Sequence, residues 1–177
     1  FFRGWCYFNL VRAFGEVPLV DFAITSSDEA NIPKSTVDKI YELIDAALTA
    51  AEGLPRRWDS RYVGRITYGA ARALHAKTYA QRGQWSQMYQ AAKNVIDSKV
   101  YDLKTPFDKI FREEGENSSE SVWELQCTAT LAEPSSNELG SQFCEVQGCR
   151  GAGPSKLGWG GHRADMSLYS GFEPGDP

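Results

Sequence analysis

The residues best suited to chemistry in this sequence are aromatic side chains set among glycines and polar groups. Trp159 lies in the run LGWGGHRAD, where His162, Arg163 and Asp165 follow it closely. An indole ring can bury the flat C–H face of a sugar, while a guanidinium, an imidazole and a carboxylate hydrogen-bond its hydroxyl groups. The segment therefore predicts a carbohydrate-binding site at Trp159, His162 and Arg163. The alternative is that Trp159 packs inside the fold and the glycines only shape a turn.

A second pair of aromatic residues offers the same stacking chemistry. Trp58 and Tyr62 lie on a predicted loop between two helices, and they form the second candidate binding site. Burial of both rings in the core is the alternative explanation. The remaining tryptophans, Trp5, Trp85 and Trp123, are assigned to the core.

Catalytic chemistry has weaker support than binding. His162, Asp165 and Ser167 are close in sequence, but no nucleophile elbow, metal-ligand spacing or phosphate-binding loop accompanies them. We therefore predict no catalytic residues, no metal site and no cofactor, in a protein that is not an enzyme. His75 lies on an alanine-rich helix, where a packing or capping role is expected.

The chain contains four cysteines. Cys6 lies in an apolar helix and is expected to be a small buried side chain, and Cys127 at the end of a predicted strand is interpreted in the same way. Cys144 and Cys149 are close together in a glycine-containing loop, so a disulfide between them is possible in an oxidising setting. Their bridging state is left open.

Composition excludes two classes of function. The formal net charge is −4 and no block of basic residues occurs, which argues against nucleic-acid binding. No apolar stretch approaches the roughly 20 residues of a membrane-spanning helix. Aromatic residues make up 12% of the chain, enough to fill a core and still supply a binding surface.

Apolar periodicity predicts helices over most of the first hundred residues. The opening helix ends near Gly15 and Pro18, and it is apolar on most sides, which predicts burial on more than one side. A second helix is expected to follow an N-cap at Ser35, with Asp38 completing a loose capping box, and to end near Gly53.

The next two predicted helices form a hairpin. Residues 67–82 are rich in alanine, Gly83 breaks the helix, and Trp85 opens the return helix. The apolar stripe of that helix consists of Met88, Ala92, Val95 and Ile96. The spacing resembles a tetratricopeptide hairpin, a repeat that needs neighbours because it cannot cover its own apolar face.

The character of the chain changes after this hairpin. Residues 120–127 alternate in polarity and predict a short, half-buried strand, and residues 128–163 form a long irregular region. The predicted fold is therefore mainly α, with tetratricopeptide-like helical hairpins, a short strand and a long irregular loop. Residues 1–103 form the helical part, and residues 104–177 form a loop and short-strand excursion that returns to the core.

Five stretches, in this order, resemble the SusD/RagB-like family of outer-membrane nutrient-binding lipoproteins. They are YFNLVRAFGEVPLV, VDKIYELIDAALTAAEGLP, GRITYGAARALHAKTYAQRGQWSQMYQAAKNVIDSKVYDL, SESVWELQ and LGWGG…FEPGDP. The resemblance covers nearly the whole chain and implies a single SusD-like helical domain over residues 1–177, present as an internal fragment that lacks both ends.

The last of these blocks departs from the family pattern. Gly158, Trp159 and Gly160 match it, whereas His162 stands where the family usually has Asn, and Ala164–Asp165 replace the usual Pro-Thr. These changes leave the implied fold intact. They weaken the transfer of any ligand-contact role to this turn.

The resemblance also implies a function. Family members are non-catalytic lipoproteins exposed on the cell outer membrane, held there by an N-terminal lipid anchor that this segment lacks. They bind oligosaccharides or polysaccharides, sometimes peptides, and deliver them to a TonB-dependent, SusC-like transporter. The alternative is a helical-repeat scaffold that binds only protein and keeps its aromatic residues internal. Solvent exposure of Trp159 and Trp58 distinguishes the two.

Overall fold

The computed structural model describes residues 1–126, 146, 148, 150–151, 158–161 and 165–175. The chain divides into two compact units, Phe1–Leu125 and Gln126–Pro177. In the first unit the helices are α1 (Phe2–Phe14), α2 (Val37–Ala51), α3 (Tyr68–Gln81) and α4 (Trp85–Asp97). The second unit contains α5 (Met166–Ser170). The mainly α fold class with paired helices is confirmed.

A two-stranded antiparallel sheet lies between α1 and α2 in sequence. Strand β1 (Val17–Pro18) pairs with β2 (Lys34–Ser35), with Val17 opposite Ser35. The Tyr7 hydroxyl ties the exit of β1 to α1, because it accepts a hydrogen bond from the Val20 amide at 2.6 Å and donates to a nearby carbonyl. The sheet therefore fixes how the chain leaves the first helix.

Helix α1 is buried on one side only. Its residues Tyr7, Phe8 and Val11 join the core, while a second set of its side chains is exposed. That exposed set consists of Phe2, Trp5, Cys6, Leu10 and Phe14. The predictions of burial on several sides, of a core Trp5 and of a buried Cys6 are therefore wrong. Within the described residues α1 packs mainly against α2, and one contacting helix covers only one face.

Helix α2 carries the centre of the core. Ile40, Ile44 and Leu48 recur every four residues and are completely buried. The N-cap is Thr36, whose side-chain oxygen accepts a hydrogen bond from the Lys39 amide, and not Ser35 as predicted. The reason is the β1–β2 pairing, which holds Ser35 in an extended strand.

Helices α3 and α4 form the predicted hairpin. Thr67 caps α3 by accepting a hydrogen bond from the Ala70 amide, and Gly83 makes the turn with a φ of +67°. The joint between the helices is close, since Ala71 and Ala91 are both fully buried. The hairpin prediction is thus confirmed.

The outer face of α4 differs from the prediction. Trp85 is 64% exposed, and Tyr89 and Ile96 are exposed with it, so the assignment of Trp85 to the core is wrong. The alanine-rich surface of α3 is covered by small side chains such as Ala91. Trp85, Tyr89 and Ile96 consequently remain exposed.

Residues 120–126 form turns and irregular backbone, so the predicted strand at 120–127 is wrong over this range. The backbone bonds locally: the Ser121 amide donates to the Ser118 carbonyl, and the Glu124 carboxylate accepts from the Asn117 amide. Trp123 is half-buried, but Leu125, expected on the same side, is largely exposed. Cys127 lies outside the described residues.

Two properties of the described residues bear on membrane and metal binding. None of the helices in this part of the chain is long and apolar enough to cross a membrane. The same residues contain no group of three or more His, Cys, Asp and Glu side chains arranged to hold a metal ion.

Candidate functional site: a pocket of aromatic and arginine side chains

A cavity of about 180 Å³ opens between the loop 56–67, which precedes α3, and the segment 100–124, which follows α4. We call it the loop pocket. Both of the aromatic residues predicted for the second candidate site, Trp58 and Tyr62, line it. Two further aromatic residues, Tyr101 and Trp123, line the pocket from the other wall.

The loop wall is held by hydrogen bonds to its own backbone. The Tyr68 amide donates to the Pro55 carbonyl at 3.0 Å and closes the loop at its base. Trp58 Nε1 donates to the Ile66 carbonyl at 2.7 Å, which fixes the indole against the loop. Asp59 caps the short 3₁₀ turn that follows it, and the hydrogen bond from the Arg61 amide lowers the pKa of its carboxyl group.

Trp58 and Tyr62 meet edge to face. Their ring centroids are 6.5 Å apart at an interplanar angle of 76°, a favourable aromatic geometry. The Arg65 guanidinium lies 4.2 Å from the Tyr62 centroid and 5.4 Å from that of Trp58. Trp58 is half-buried and Tyr62 is 40% exposed. Both rings are therefore anchored to the protein and still partly accessible to solvent.

Three contacts join the two walls. Trp123 Nε1 donates to the Gly64 carbonyl at 3.0 Å, and the hydroxyl groups of Tyr101 and Thr67 are 3.0 Å apart. Arg57 donates to the carbonyl of Val100. These bonds link the loop before α3 to the segment after α4, so the pocket depends on both ends of the helical hairpin.

Sequence reasoning missed half of this site. Trp123 was assigned to the core on the basis of a strand that does not form, and no local pattern places its indole beside Gly64. The arginines Arg56, Arg57 and Arg65 also line the pocket. Their concentration within ten residues around Trp58 was a signal that could have suggested a polar site.

Trp159, the first predicted site residue, belongs to the second unit. It is 51% exposed, and its carbonyl accepts a hydrogen bond from Arg150 Nε at 3.0 Å. The backbone beside it runs very close to residue 148: a Cβ added at Gly158 would lie 2.0 Å from the Gly148 backbone. Glycine is therefore required at Gly158 for this approach.

The other predicted residues of that segment are only partly described. His162 and Arg163 lie outside the described residues, as do Cys144 and Cys149. Asp165 is the N-cap of α5: its carboxylate accepts a hydrogen bond from the Ser167 amide at 2.8 Å, which lowers its pKa. That contact gives Asp165 a structural role.

A second cluster of charged residues lies between α2 and α3, apart from the pocket. His75 is only 2% exposed and has the carboxylates of Asp45 and Glu52 on its two sides. Arg82 pairs with Asp45, and Arg72 pairs with Glu52. His75 is buried, as expected for a packing residue, and its contacts with the two carboxylates link α2 to α3.

Comparisons with known proteins converge on one family. Residues 1–80 match the SusD-like family model described as "Starch-binding associating with outer membrane". The chain is 30% identical to SusD-like protein P2 of Formosa agariphila over 95% of its own length and 34% of that protein's. It thus spans about a third of this curated relative.

Solved structures agree on the fold. Surface glycan-binding protein A from Bacteroides uniformis superposes with a TM-score of 0.73 over 97% of this chain and 38% of its own, at 24% identity. A laminarin-binding SusD-like protein superposes with a TM-score of 0.63 over 68% of this chain and 28% of its own, at 27% identity.

Proposed function

The chain belongs to the SusD-like family, and on that premise we propose that it binds glycans outside the cell without cleaving them. The observation that carries the proposal is the loop pocket, in which partly exposed aromatic rings lie beside guanidinium, hydroxyl and amide groups. Aromatic rings bury sugar C–H faces, and the polar groups satisfy the hydroxyls. A structural relative that binds laminarin supports carbohydrate as the ligand class.

Within the second unit, we propose Trp159 as a separate glycan-contacting residue. Its exposed indole suits stacking. From the sequence pattern, we propose His162 and Arg163 as further residues that contact the ligand. In this proposal Trp159→Ala weakens binding by about 2- to 10-fold, the loss of one aromatic contact, while leaving the fold intact. Unchanged affinity for laminarin in a calorimetric titration would remove Trp159 from the site.

We extend the proposal to the cellular setting. The bound glycan would be delivered to a TonB-dependent, SusC-like transporter by a surface-exposed lipoprotein held by an N-terminal lipid. The support is the resemblance of the whole chain to that family, together with the family description, which associates it with the outer membrane. Co-purification of the intact protein with such a transporter from outer membranes tests the partnership.

The alternative function, a scaffold that binds only protein, has one observation in its favour. Trp85, Tyr89 and Ile96 form an exposed apolar face on α4, and such faces commonly bind other proteins. This face could serve a protein partner whether or not the loop pocket binds glycan. The two functions therefore require separate variants.

Tyr62→Ala and Tyr89→Ala make a matched pair, because both remove one exposed tyrosine ring. Titration of the intact protein with laminarin and with soluble starch is the measurement. We expect Tyr62→Ala to weaken glycan binding by about 2- to 10-fold and Tyr89→Ala to leave it unchanged. Absence of binding to any glycan, or equal effects of the two variants, would reject the loop pocket as a glycan site.

A further inference from the structure

The charges around the loop pocket are unevenly distributed, and we infer that it selects glycans carrying negatively charged groups, either uronate carboxylates or sulfate esters. This inference rests on the proposed function, because it specifies the ligand class of the same pocket. The groups that carry it are Arg56, Arg57 and Arg65, all of which line the cavity and are exposed.

The carboxylates of the pocket are engaged with other groups. Asp59 and Glu124 are the acidic residues in the lining. Asp59 lies 3.0 Å from Arg61 Nε, and Glu124 accepts hydrogen bonds from the Asn117 amide and from Ser121. Among the described residues, none of the three lining arginines forms an ion pair with a carboxylate. The pocket lining thus carries three guanidinium groups and two carboxylates, and both carboxylates already have other hydrogen-bond partners.

Neutral groups hold the arginines in place. Arg65 lies over the rings of Tyr62 and Trp58, Arg56 lies 5.7 Å from the centroid of Tyr68, and Arg57 donates to a backbone carbonyl. Stacking leaves the in-plane N–H donors of a guanidinium available, and the planar fork matches carboxylate and sulfate oxygens. The side chains are therefore partly ordered before an anion arrives, which reduces the entropy lost on binding.

The arginines that link α2 to α3 differ from those of the pocket. Arg72 is 2.9 Å from Glu52 and Arg82 is 2.7 Å from Asp45, so the arginines that join helices have carboxylate partners. The whole chain has a net charge of −4, which would repel an anionic polymer at long range. A local excess of unpaired guanidinium groups on an acidic protein favours an anionic ligand at that place.

The size of the pocket limits what it can enclose. Its volume of about 180 Å³ lies below the roughly 300–1,000 Å³ that encloses a drug-sized ligand. We infer that it receives one charged portion of a longer chain, with the neighbouring sugars outside. The charged substituent would meet Arg65, and the ring to which it is attached would lie against the aromatic pair.

Three probes test the inference on the intact protein: neutral laminarin, chemically sulfated laminarin with the same backbone, and polygalacturonate. We expect at least one anionic probe to bind about 10-fold more tightly than neutral laminarin at low ionic strength, with the preference shrinking as salt rises. The probe that is preferred identifies sulfate or carboxylate as the group recognised.

Variants locate the effect. Arg65→Gln should remove most of the preference for the anionic probe, and Arg65→Lys should retain part of it. Arg3→Gln should leave the preference unchanged, because exposed Arg3 lies on α1 outside the pocket. Thermal melts establish that each variant is folded. Equal affinity for neutral and anionic probes, or an equal loss in Arg65→Gln and Arg3→Gln, overturns this inference alone. Failure to bind any of the three probes overturns the proposed function as well.

Discussion

His75 Nδ1 lies 2.8 Å from Glu52 Oε1, and His75 Nε2 lies 3.3 Å from Asp45 Oδ1 on the other side of the same buried ring. Burial opposes a charge on this imidazole, but the hydrogen bonds and charges of the two carboxylates outweigh it and raise the pKa of His75 above 6.5. The ring also stacks on Tyr79, with centroids 4.3 Å apart. His75 therefore links α2 to α3, and the two carboxylates favour the charged form of its ring.

Stability should depend on pH through this cluster. Because the folded pKa of His75 is raised, its contribution is fully present below pH 6.5 and is lost as the pH rises through the folded value. The pKa of Asp45 is lowered below 3.8: burial opposes its charge, but His75 and Arg82 prevail, so its contribution is lost only as the pH falls through that lower value.

Urea unfolding between about pH 6 and about pH 9 measures the alkaline loss. We expect the denaturation midpoint to fall over this interval in the parent protein and to fall less in His75→Gln. Arg72 and Arg82, which also face the cluster, stay charged throughout and serve as a constant background. A parallel decline in both proteins would show that another group controls the pH dependence.

The ion pair between Arg82 and Asp45 should contribute substantially to stability. The two terminal guanidinium nitrogens of Arg82 donate to the Asp45 carboxylate at 2.7 and 2.8 Å. Arg82 also lies over the Tyr41 ring. Asp45→Asn should lower the free energy of unfolding by about 2 kcal/mol, since it leaves a half-buried guanidinium without its charge partner.

Asp97→Asn is the matched control for that substitution. The pair formed by Lys93 and Asp97 is exposed on one face of α4, so its loss should change the free energy of unfolding by less than about 0.5 kcal/mol. Similar losses in the two variants, measured by urea unfolding, would contradict the importance assigned to the buried pair.

Gly69→Ala should destabilise the joint between α3 and the segment after α4. A Cβ at this position would lie 2.4 Å from the Tyr101 hydroxyl oxygen and 2.5 Å from a ring carbon, so the ring must move. We expect a loss of about 1–3 kcal/mol in the free energy of unfolding. Gly53→Ala, where the nearest atom is 3.5 Å away, should be close to neutral, and a calorimetric melt compares the two.

Trp85→Ala should have little effect on stability, despite the size of the side chain. The sequence placed Trp85 in the core, where truncation would reduce the free energy of unfolding by about 3–5 kcal/mol. At 64% exposure we expect a loss below about 1 kcal/mol, whereas Leu48→Ala in the fully buried centre of α2 should lose about 2–5 kcal/mol. A core-sized loss for Trp85→Ala would contradict the exposed position of its ring.

The fold was predictable where the information is local. Helical periodicity and caps located both ends of α2 and α3, and the start of α4, to within a residue or two, because side-chain spacing and capping act over a single turn. The N-cap moved from Ser35 to Thr36 because Ser35 pairs with Val17, a contact 18 positions away that no helical pattern contains.

The site was predictable only in part, because some of its contacts join residues that are far apart in the sequence. Trp58 and Tyr62 were identified from residue type and loop position, and the structure brings both into one pocket. Trp123 was not, because its position follows from a hydrogen bond to Gly64, a residue 59 positions earlier. Burial of Trp85 was predicted wrongly because the apolar character of a residue does not reveal which neighbours cover it.

The walls of the loop pocket are held mostly by hydrogen bonds to main-chain carbonyls. Trp58 donates to the carbonyl of Ile66, and Trp123 donates to that of Gly64. Arg57 donates to the carbonyl of Val100. Every amino acid carries such a carbonyl, so Ile66 and Val100 can change identity without loosening the attachment, whereas the φ of +87° at Gly64 favours glycine there. The side chains at Ile66 and Val100 could therefore vary among relatives while the walls of the pocket stay joined through the same main-chain acceptors.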